Sequence, residues 1–245
     1  MSDLVMVVPV YNEASRLDPG PWLQFVAADA SRALRFVDDG SSDGTSAVLE
    51  ALRAAAPDQI RVVRLAANRG KGEAVRAGML TALADTSKYA GFIDADLAAP
   101  LTEVALLQAE LDGHPAAWAA FGSRVKLLGR GIKRSERRHY LGRVFATCAS
   151  IALSLPVYDT QCGLKLFRNI PQVQAAFAAP FRSRWIFDVE LLARLAALAG
   201  GRIAERVREV PLEHWEERGS SRLGLKDFLS APFELARIKR HRGDP

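Results

Sequence analysis

Two aspartates one residue apart, Asp94 and Asp96, end an apolar run in the stretch GFIDADLAAP. Like charges this close together raise the free energy unless a cation or hydrogen-bond donors offset them. Mg²⁺ or Mn²⁺ prefers oxygen ligands, and an ion held there would bridge a diphosphate and neutralise a leaving nucleoside diphosphate. In the alternative, Asp96 or a neighbour caps the helix after Pro100 and Asp94 faces water. Because other acids also end strands, we favour Asp94 and Asp96 as metal ligands.

The motif VDDGSSDGT places Asp38 and Asp39 at the end of another strand-like segment. Acids at this position in nucleotide-binding α/β folds accept hydrogen bonds from a base N–H or from ribose hydroxyls. Residues 41–45 have the composition of an ordinary strand-to-helix turn. We therefore assign a binding role to Asp39, with or without Asp38, and a turn-forming role to residues 41–45.

The loop ANRGKGEAVRAG carries two cations, Arg69 and Lys71, at the start of a predicted helix. Its glycines permit a tight loop in which either cation could face a phosphate, and Lys71 could equally be solvated. Neither the spacing of a P-loop nor the glycine pattern of a dinucleotide fingerprint is present in the sequence. Any phosphate contact of this loop would therefore be of another kind, and the solvated alternative for Lys71 stays open.

Apolar, β-rich segments alternate with amphipathic helical segments through the first half of the chain, which is typical of an α/β fold. This alternation predicts a mostly parallel twisted sheet with helices on both faces, whose ligands bind beyond the carboxyl ends of the strands. The polar groups that follow five predicted strands are Tyr11 to Glu13, Asp38 with Asp39, Asn68 to Lys71, Asp94 with Asp96, and Ser123 with Arg124. The later segment RWIFDVELLARLAALAG predicts a helix whose core stripe is Phe187, Leu191, Leu195 and Leu198.

The composition is that of a globular chain, with 245 residues of which 49% are hydrophobic. Because no linker or internal repeat divides it, we expect a single domain over residues 1–245. The N-terminus lacks the features of a signal peptide, and the longest apolar stretch, Val144 to Tyr158, is shorter than the roughly 20 residues that a bilayer requires. We therefore expect a protein that is not integral to a membrane. Cys148 and Cys162 have no metal-ligand spacing and predict reduced thiols, as in a cytoplasmic protein.

The net charge is +5 and the isoelectric point about 9.5, and the clusters RGIKRSERRHYLGR and RIKRHR carry much of the excess. Such clusters suit anionic lipid headgroups, lipid phosphates or nucleic acid, or else they form a solvated helix face. A non-enzymatic basic binding module would explain the clusters but not the acids at the strand ends. A nucleotidyltransferase would carry a GxGTR-like loop where this chain reads VYNEASRL.

Taken together, the motifs identify a family. The motifs VVPVYNE, VDDGSSDGT, NRGKGEAVRAG, DADLAAP, FGSR and DTQCGLKLF occur in the order that they take in glycosyltransferase family 2. Over about residues 7–222 the chain resembles the polyprenyl-phosphate branch of that family. Within the branch, NRGKG, DTQCGLKLF and RWIFDVELL look most like the dolichyl-phosphate β-glucosyltransferases, with the mannose synthases next nearest.

The resemblance implies a GT-A fold, a nucleotide-sugar donor, a Mg²⁺ or Mn²⁺ cofactor and inversion at the anomeric carbon. UDP-glucose is the expected donor, with GDP-mannose as the alternative. The implied acceptor is a polyprenyl phosphate, reached by peripheral contact with the cytoplasmic face of a membrane, and no nucleic acid is expected as a partner. Residues up to about 124 would bind the donor, and residues from about 125 to 245 would serve the acceptor.

The resemblance also implies roles for individual residues, carried over by position. The implied nucleotide-sugar site consists of Pro9, Tyr11, Glu13, Val37, Asp39, Lys71, Asp94, Ala95, Asp96, Arg124, Lys165 and Arg218. The implied catalytic residues are Asp96, Arg124, Asp159 and Asp188, with Trp185 nearby, and Ser220 and Arg222 would join Arg218 in closing over the diphosphate.

The acceptor phosphate is expected at Arg124, Arg138 and Gly142. Gly142 stands where mannose synthases have serine, so Arg134, Arg137 or Arg143 could take the place of Arg138. A phosphate monoester has a second pKa near 6 and needs no strong base, whereas a hydroxyl acceptor would need Asp159 or Asp188 as a base. The chain departs from the mannose synthases at Ala98, where they have glutamine. It also shows no N-terminal anchor of the kind that the branch normally carries, so membrane attachment would come from residues 130–155, from a partner, or not at all.

Overall fold

The computed structural model describes residues 2–184, 186–218, 233–238 and 240, without the side chains of residues 137–139. Its strands are β1 (Leu4–Val10), β2 (Arg32–Asp38), β3 (Ile60–Arg64), β4 (Tyr89–Phe92), β5 (Ala119–Ser123), β6 (Gly131–Lys133), β7 (Lys165–Arg168), β8 (Val207–Pro211) and β9 (His214–Glu216). Its helices are α1 (Pro19–Ala27), α2 (Thr45–Ala55), α3 (Lys71–Leu83), α4 (Glu103–Gly113), α5 (Glu136–Leu153), α6 (Pro171–Ala178), α7 (Phe187–Leu198) and α8 (Ile203–Arg206).

Seven strands form one sheet in the order β3-β2-β1-β4-β7-β5-β8. All neighbours are parallel except β7, which runs antiparallel to both β4 and β5. The prediction of a mostly parallel sheet is therefore confirmed. The chain builds outward from β1 through β2 to β3, and then returns to add β4 on the other side of β1. This reversal of strand order creates a crevice beyond the carboxyl ends of β1 and β4, where α/β sheets bind their ligands.

Each face of the sheet carries its own hydrophobic core, because successive residues of a strand point to opposite faces. In β1, Met6 and Val8 pack into a core with Trp22 of α1, whereas Val5 and Val7 pack into a second core that includes residues of α3 and α7. All four β1 side chains are fully buried. The expectation of helices on both faces is confirmed, and the rigid sheet fixes the strand ends that form the site.

The predicted core stripe of α7 is correct for three residues and wrong for the fourth. Phe187, Leu191 and Leu195 are fully buried, whereas Leu198 is 42% exposed. Leu198 is the last residue of α7, so it lies where the helix reaches solvent. Across the described part of the chain, no helix is both long enough and apolar enough to cross a bilayer.

Candidate active site

The candidate site lies at the edge of the sheet where the parallel strands end. The residues that follow β1, β2, β4 and β5 meet there because these strands run in the same direction. The antiparallel direction of β7 brings the segment that precedes it, DTQCG, to the same edge. Chain segments far apart in sequence thus converge on one crevice.

The two aspartates of the first motif lie beyond β4, next to a cation from α3. The Nζ atom of Lys71 is 2.6 Å from Oδ1 of Asp94, and both side chains are about one-third exposed. Burial raises the pKa of Asp96, and the charge of Asp94 raises it further. The carboxylate of Asp96 accepts the N–H of Ala98 at 3.0 Å, while α4 begins later and has no side-chain cap. Asp96 is therefore not the cap of that helix.

The shape of this loop depends on two residues that the sequence did not single out. Leu97 has φ +51°, a left-handed conformation that side chains other than glycine rarely adopt. At Gly163 an added Cβ would lie 2.1 Å from Oδ2 of Asp94, so only a glycine leaves room for this carboxylate. The φ angle of Gly163 is not positive, so the backbone conformation does not require a glycine here. A glycine is required because any side chain would crowd Asp94, and the turn-forming residues nearby do not predict this.

The residues present fit a divalent cation. Asp94 and Asp96 offer carboxylate oxygens, which Mg²⁺ and Mn²⁺ prefer. The pKa of Asp96 is raised first by burial and then by the charge of Asp94, and a bound cation would offset this second effect. Among the described residues no group of three or more His, Cys, Asp or Glu side chains could hold a metal. An ion at this pair would therefore need further oxygen ligands, such as those of a diphosphate.

Asp39 fixes the loop that carries Lys71. Its two carboxylate oxygens accept the backbone N–H groups of Arg69 at 2.7 Å and Gly70 at 2.9 Å. Burial raises the pKa of Asp39, and these two hydrogen bonds oppose the shift. Gly70 has φ +94°. Asp39 thereby sets where α3 begins, and its contact with a base or ribose stays a prediction.

The other residues predicted for the nucleotide lie along the same edge. Pro9 of β1 pairs with Val37 of β2. The side chain of Val37 is fully buried in the core. Tyr11 and Ala95 are half-buried in the loops beyond β1 and β4. Glu13 accepts two hydrogen bonds from Arg16, at 2.7 and 2.8 Å. Their contacts with a nucleotide stay predictions.

Beyond β5, Arg124 and Asp159 form a buried bidentate ion pair. The guanidinium donates to the two carboxylate oxygens at 2.7 and 2.8 Å, and the N–H of Arg124 donates to the same carboxylate at 3.1 Å. Burial alone would raise the pKa of Asp159, but the charge and hydrogen bonds of Arg124 hold this pKa well below its usual range. The ring of Trp215 lies 5.4 Å from the guanidinium, and Glu209 accepts the N–H groups of Tyr158 and Asp159.

A second ion pair, Lys165 with Asp188, lies entirely inside the protein. Nζ of Lys165 is 2.6 Å from Oδ1 of Asp188 and 2.6 Å from the carbonyl oxygen of Cys162. The Lys165 side chain is fully buried, with its ammonium over the rings of Phe92 and Phe121. The resemblance implies a place for Lys165 at the donor phosphates, whereas in the structure its ammonium pairs with Asp188.

The acceptor-side helix α5 is tied to this part of the site. Arg143 lies 3.7 Å above the ring of Tyr158 and donates to its carbonyl oxygen at 3.2 Å. A Cβ added at Gly142 would lie 2.5 Å from the guanidinium of Arg134, so the glycine lets Arg134 lie close to the helix. The side chain of Arg138 lies outside the described residues.

In the late loop, Arg218 lies beside the aspartate pair, where its guanidinium donates to the carbonyl oxygen of Asp96 at 3.5 Å. Its contact with a diphosphate stays a prediction. Trp185, Ser220 and Arg222 lie outside the described residues. Sequence reasoning missed Trp215 and Glu209, whose contacts to the Arg124–Asp159 pair come from strands late in the chain.

Comparison with known sequences identifies close relatives. The protein-family sequence model described as Glycosyl transferase family 2 matches residues 5–182 of this chain. A dolichyl-phosphate beta-glucosyltransferase of Trichomonas vaginalis is 32% identical over 95% of this chain and 69% of its own. The enzymes with the same name from Saccharomyces cerevisiae (31% identity) and Homo sapiens (32% identity) match 96% and 97% of this chain, and 74% and 79% of their own.

Comparison with solved structures identifies the fold. Glucosyl-3-phosphoglycerate synthase from Mycobacterium tuberculosis, in complex with UDP, superposes with a TM-score of 0.67 at 18% identity, over 99% of this chain and 80% of that one. Its complex with Mn²⁺ and UDP-glucose gives a TM-score of 0.68 at 19% identity, over 98% and 79%. This likeness confirms the predicted GT-A fold.

Proposed function

The chain belongs to glycosyltransferase family 2 and is therefore a sugar-transferring enzyme, and we propose that it transfers glucose from UDP-glucose to the phosphate of a polyprenyl lipid such as dolichyl phosphate. The dolichyl-phosphate beta-glucosyltransferases of Trichomonas vaginalis, Saccharomyces cerevisiae and Homo sapiens match 95–97% of this chain at 31–32% identity. Residues up to about 124 supply most of the donor site and residues from about 125 to 245 supply most of the acceptor site. Arg218 of the second half lies on the donor side, and Arg124 of the first half lies on the acceptor side.

On the donor side, Asp94 and Asp96 would hold a divalent cation, and that ion would offset the negative charge that develops on the departing diphosphate. Lys71 and Arg218 lie at the same loop and add positive charge to it. The partial exposure of Lys71 and Asp94 leaves both side chains within reach of a ligand. Asp39 keeps the loop of Lys71 in place for this contact.

One observation on the acceptor side carries the proposal. The two carboxylates considered as bases, Asp159 and Asp188, both lie in buried ion pairs. Because Arg124 holds the pKa of Asp159 well below its usual range, this carboxylate is a poor proton acceptor. An acceptor that is already ionised suits such a site, and a phosphate monoester with a second pKa of about 6 is largely dianionic at neutral pH.

In the proposed step, an oxygen of the acceptor phosphate attacks the anomeric carbon of glucose from the face opposite the diphosphate. The new C–O bond forms as the bond from the anomeric carbon to the UDP oxygen breaks, and the electron pair leaves with UDP. No proton has to be moved, so the rate gain comes from positioning and from neutralising the leaving group. Arg124, fixed by Asp159, orients the acceptor, and the reaction takes place at the cytoplasmic face of a membrane.

A transfer assay tests this proposal. The protein is incubated with Mn²⁺, polyprenyl phosphate and radiolabelled UDP-glucose, UDP-galactose, UDP-N-acetylglucosamine or GDP-mannose. We expect label in the lipid from UDP-glucose, lost on removal of the metal by a chelator and in Asp96→Asn. The matched control is Asp58→Asn, an exposed aspartate away from the site, which should keep full activity. Transfer from GDP-mannose instead, or full activity in Asp96→Asn, would refute the donor or the metal assignment.

A further inference from the structure

Helix α5 is apolar on two sides, although only one of them is covered. Phe145, Ala149 and Leu153 are buried in the core beneath the sheet. Tyr140, Val144 and Ile151 are 64–69% exposed. At 3.6 residues per turn, these two sets lie on opposite sides of the helix. A helix that buries one apolar stripe and exposes another has a face prepared for a second apolar environment.

The exposed stripe has apolar neighbours in the loop between β5 and β6. Leu127 is 48% exposed, Leu128 is fully exposed, and Leu141 on α5 is 52% exposed. The loop reaches the start of α5, because Nζ of Lys126 donates to the carbonyl oxygen of Arg134. Six of the nine large apolar side chains that are exposed in the described residues thus belong to this loop and helix, which we call the α5 face (residues 126–151).

The same part of the chain holds its excess positive charge. Residues 126–143 contain seven lysines and arginines and one glutamate, a net charge of +6, whereas the whole chain has +5. Three glutamates of the adjoining segment, Glu213, Glu216 and Glu217, lie against it and reduce this excess without reversing it. An apolar stripe bordered by cations is the combination that binds anionic lipid bilayers from the surface.

The position of the α5 face relative to the site fits a lipid acceptor. Arg143 of α5 packs on Tyr158, the residue before Asp159 of the Arg124–Asp159 pair. The helix therefore lies beside the acceptor side of the site, and its other face is exposed. A phosphate carried by a membrane lipid stays at the headgroup level, so its enzyme must bring the acceptor side to the bilayer surface.

We propose that the α5 face docks on an anionic phospholipid bilayer, with Leu128, Val144 and Ile151 entering the interface and the cations contacting headgroups. This inference rests on the proposed function, because a lipid acceptor is the reason for binding a membrane. The choice of an anionic bilayer rests on the exposed apolar stripe and the positive charge beside it. A second copy of the chain is a poorer occupant, because a two-fold interface would bring two cationic segments together.

Flotation with vesicles that contain no polyprenyl phosphate tests the proposal. We expect the protein to float with vesicles of phosphatidylcholine and phosphatidylglycerol in equal amounts, to float less with phosphatidylcholine alone, and to dissociate as salt is raised. The triple variant Leu128→Ser/Val144→Ser/Ile151→Ser should bind the anionic vesicles at least about ten-fold more weakly. The matched control is Leu80→Ser/Leu198→Ser/Phe233→Ser, which removes three exposed apolar side chains from elsewhere and should bind normally.

A native cysteine provides a second readout. Cys148 lies on α5 and is exposed, whereas Cys162 is buried. A polarity-sensitive fluorophore is attached to Cys148 in the native sequence and in the triple variant. When anionic vesicles are added, its emission should shift to the blue in the native sequence and much less in the triple variant. Equal flotation of the triple variant and the unmodified protein would overturn the proposal. So would an equal loss in the control, or a dimer in sedimentation that the triple variant dissociates.

The test is separable from that of the proposed function. With a short-chain, water-soluble polyprenyl phosphate, the triple variant should transfer glucose as fast as the unmodified protein. If the unmodified protein transfers no glucose but floats through the α5 face, the proposed function fails and the docking surface stands. If it transfers glucose but does not float, the docking surface fails and the proposed function stands.

Discussion

The donor side and the acceptor side of the site hold their charges in different ways. On the donor side, Lys71 and Asp94 pair at 2.6 Å with side chains that are 38% and 34% exposed. On the acceptor side, Arg124 and Asp159 pair with side chains that are 13% and 10% exposed. A solvent-exposed pair contributes little to stability and can exchange its partner for a ligand, whereas a buried pair loses much when either member is removed. The donor side is therefore adaptable and the acceptor side fixed.

The largest effect is expected from breaking the buried pair. Asp159→Asn leaves the guanidinium of Arg124 without its counter-charge and should lower the free energy of unfolding by about 3 kcal/mol at neutral pH. Because the folded-state pKa of Asp159 is depressed, its contribution is present above its unfolded pKa of about 4 and is lost as pH falls through the folded value. Urea denaturation at a series of pH values should show the gap between the two proteins shrinking below about pH 4.

The control for this comparison is Glu50→Gln, which removes an exposed partner of Arg53 and Arg64. It should change the free energy of unfolding by less than about 1 kcal/mol. A gap for Asp159→Asn that stays constant from neutral to acid pH would mean that the pair does not stabilise the fold through its charge.

An intermediate effect is expected from Gly163→Ala. The new Cβ would overlap the carboxylate of Asp94 and displace it from the position in which it pairs with Lys71 and would bind a cation. Loss of a group that positions a metal ligand lowers metal affinity by about 10- to 100-fold, so Mn²⁺-dependent binding of UDP-glucose should fall by that order in calorimetry. Gly113→Ala is the matched control, because its Cβ meets nothing within 4 Å. Unchanged binding in Gly163→Ala would show that Asp94 is not held where the structure places it.

The smallest effect is expected from Lys71→Met. Its partly exposed pair with Asp94 should contribute less than about 1 kcal/mol to the free energy of unfolding. The same substitution at the fully buried Lys165 leaves Asp188 unpaired and should lower the free energy of unfolding by about 3 kcal/mol, as the loss of Asp159 does. Thermal unfolding of the two variants side by side measures this contrast. Equal losses of stability would mean that exposed and buried ion pairs do not differ in this protein.

The sequence predicts the sheet and the position of its strand ends well, because apolar runs and the turns that follow them are local signals. The strands ending at Val10, Asp38 and Phe92 each precede one of the polar motifs that the sequence singles out. The antiparallel direction of β7 has no such local signal, since β7 is four residues long and its partners lie far away in the chain.

The ion pairs of the site could not be predicted from the sequence. Arg124 and Asp159 are 35 residues apart, and Lys165 and Asp188 are 23 apart, so no spacing rule relates them. Lys165 illustrates the difficulty, because a lysine beside a predicted phosphate site suggests a phosphate contact until its neighbours are known. Gly163 is a similar case, since its requirement comes from the carboxylate of a distant loop.

The pH dependence of glucose transfer tests most directly whether the acceptor attacks without a base from the enzyme. With saturating UDP-glucose and Mn²⁺, kcat/KM for a polyprenyl phosphate should rise with an apparent pKa of about 6, the second ionisation of the acceptor. A polyprenyl phosphonate has a higher second pKa, and with it the rising limb should move to higher pH by the difference between the two acceptors. A limb that stays at the same pH for both acceptors would belong to a group of the enzyme and would contradict the account.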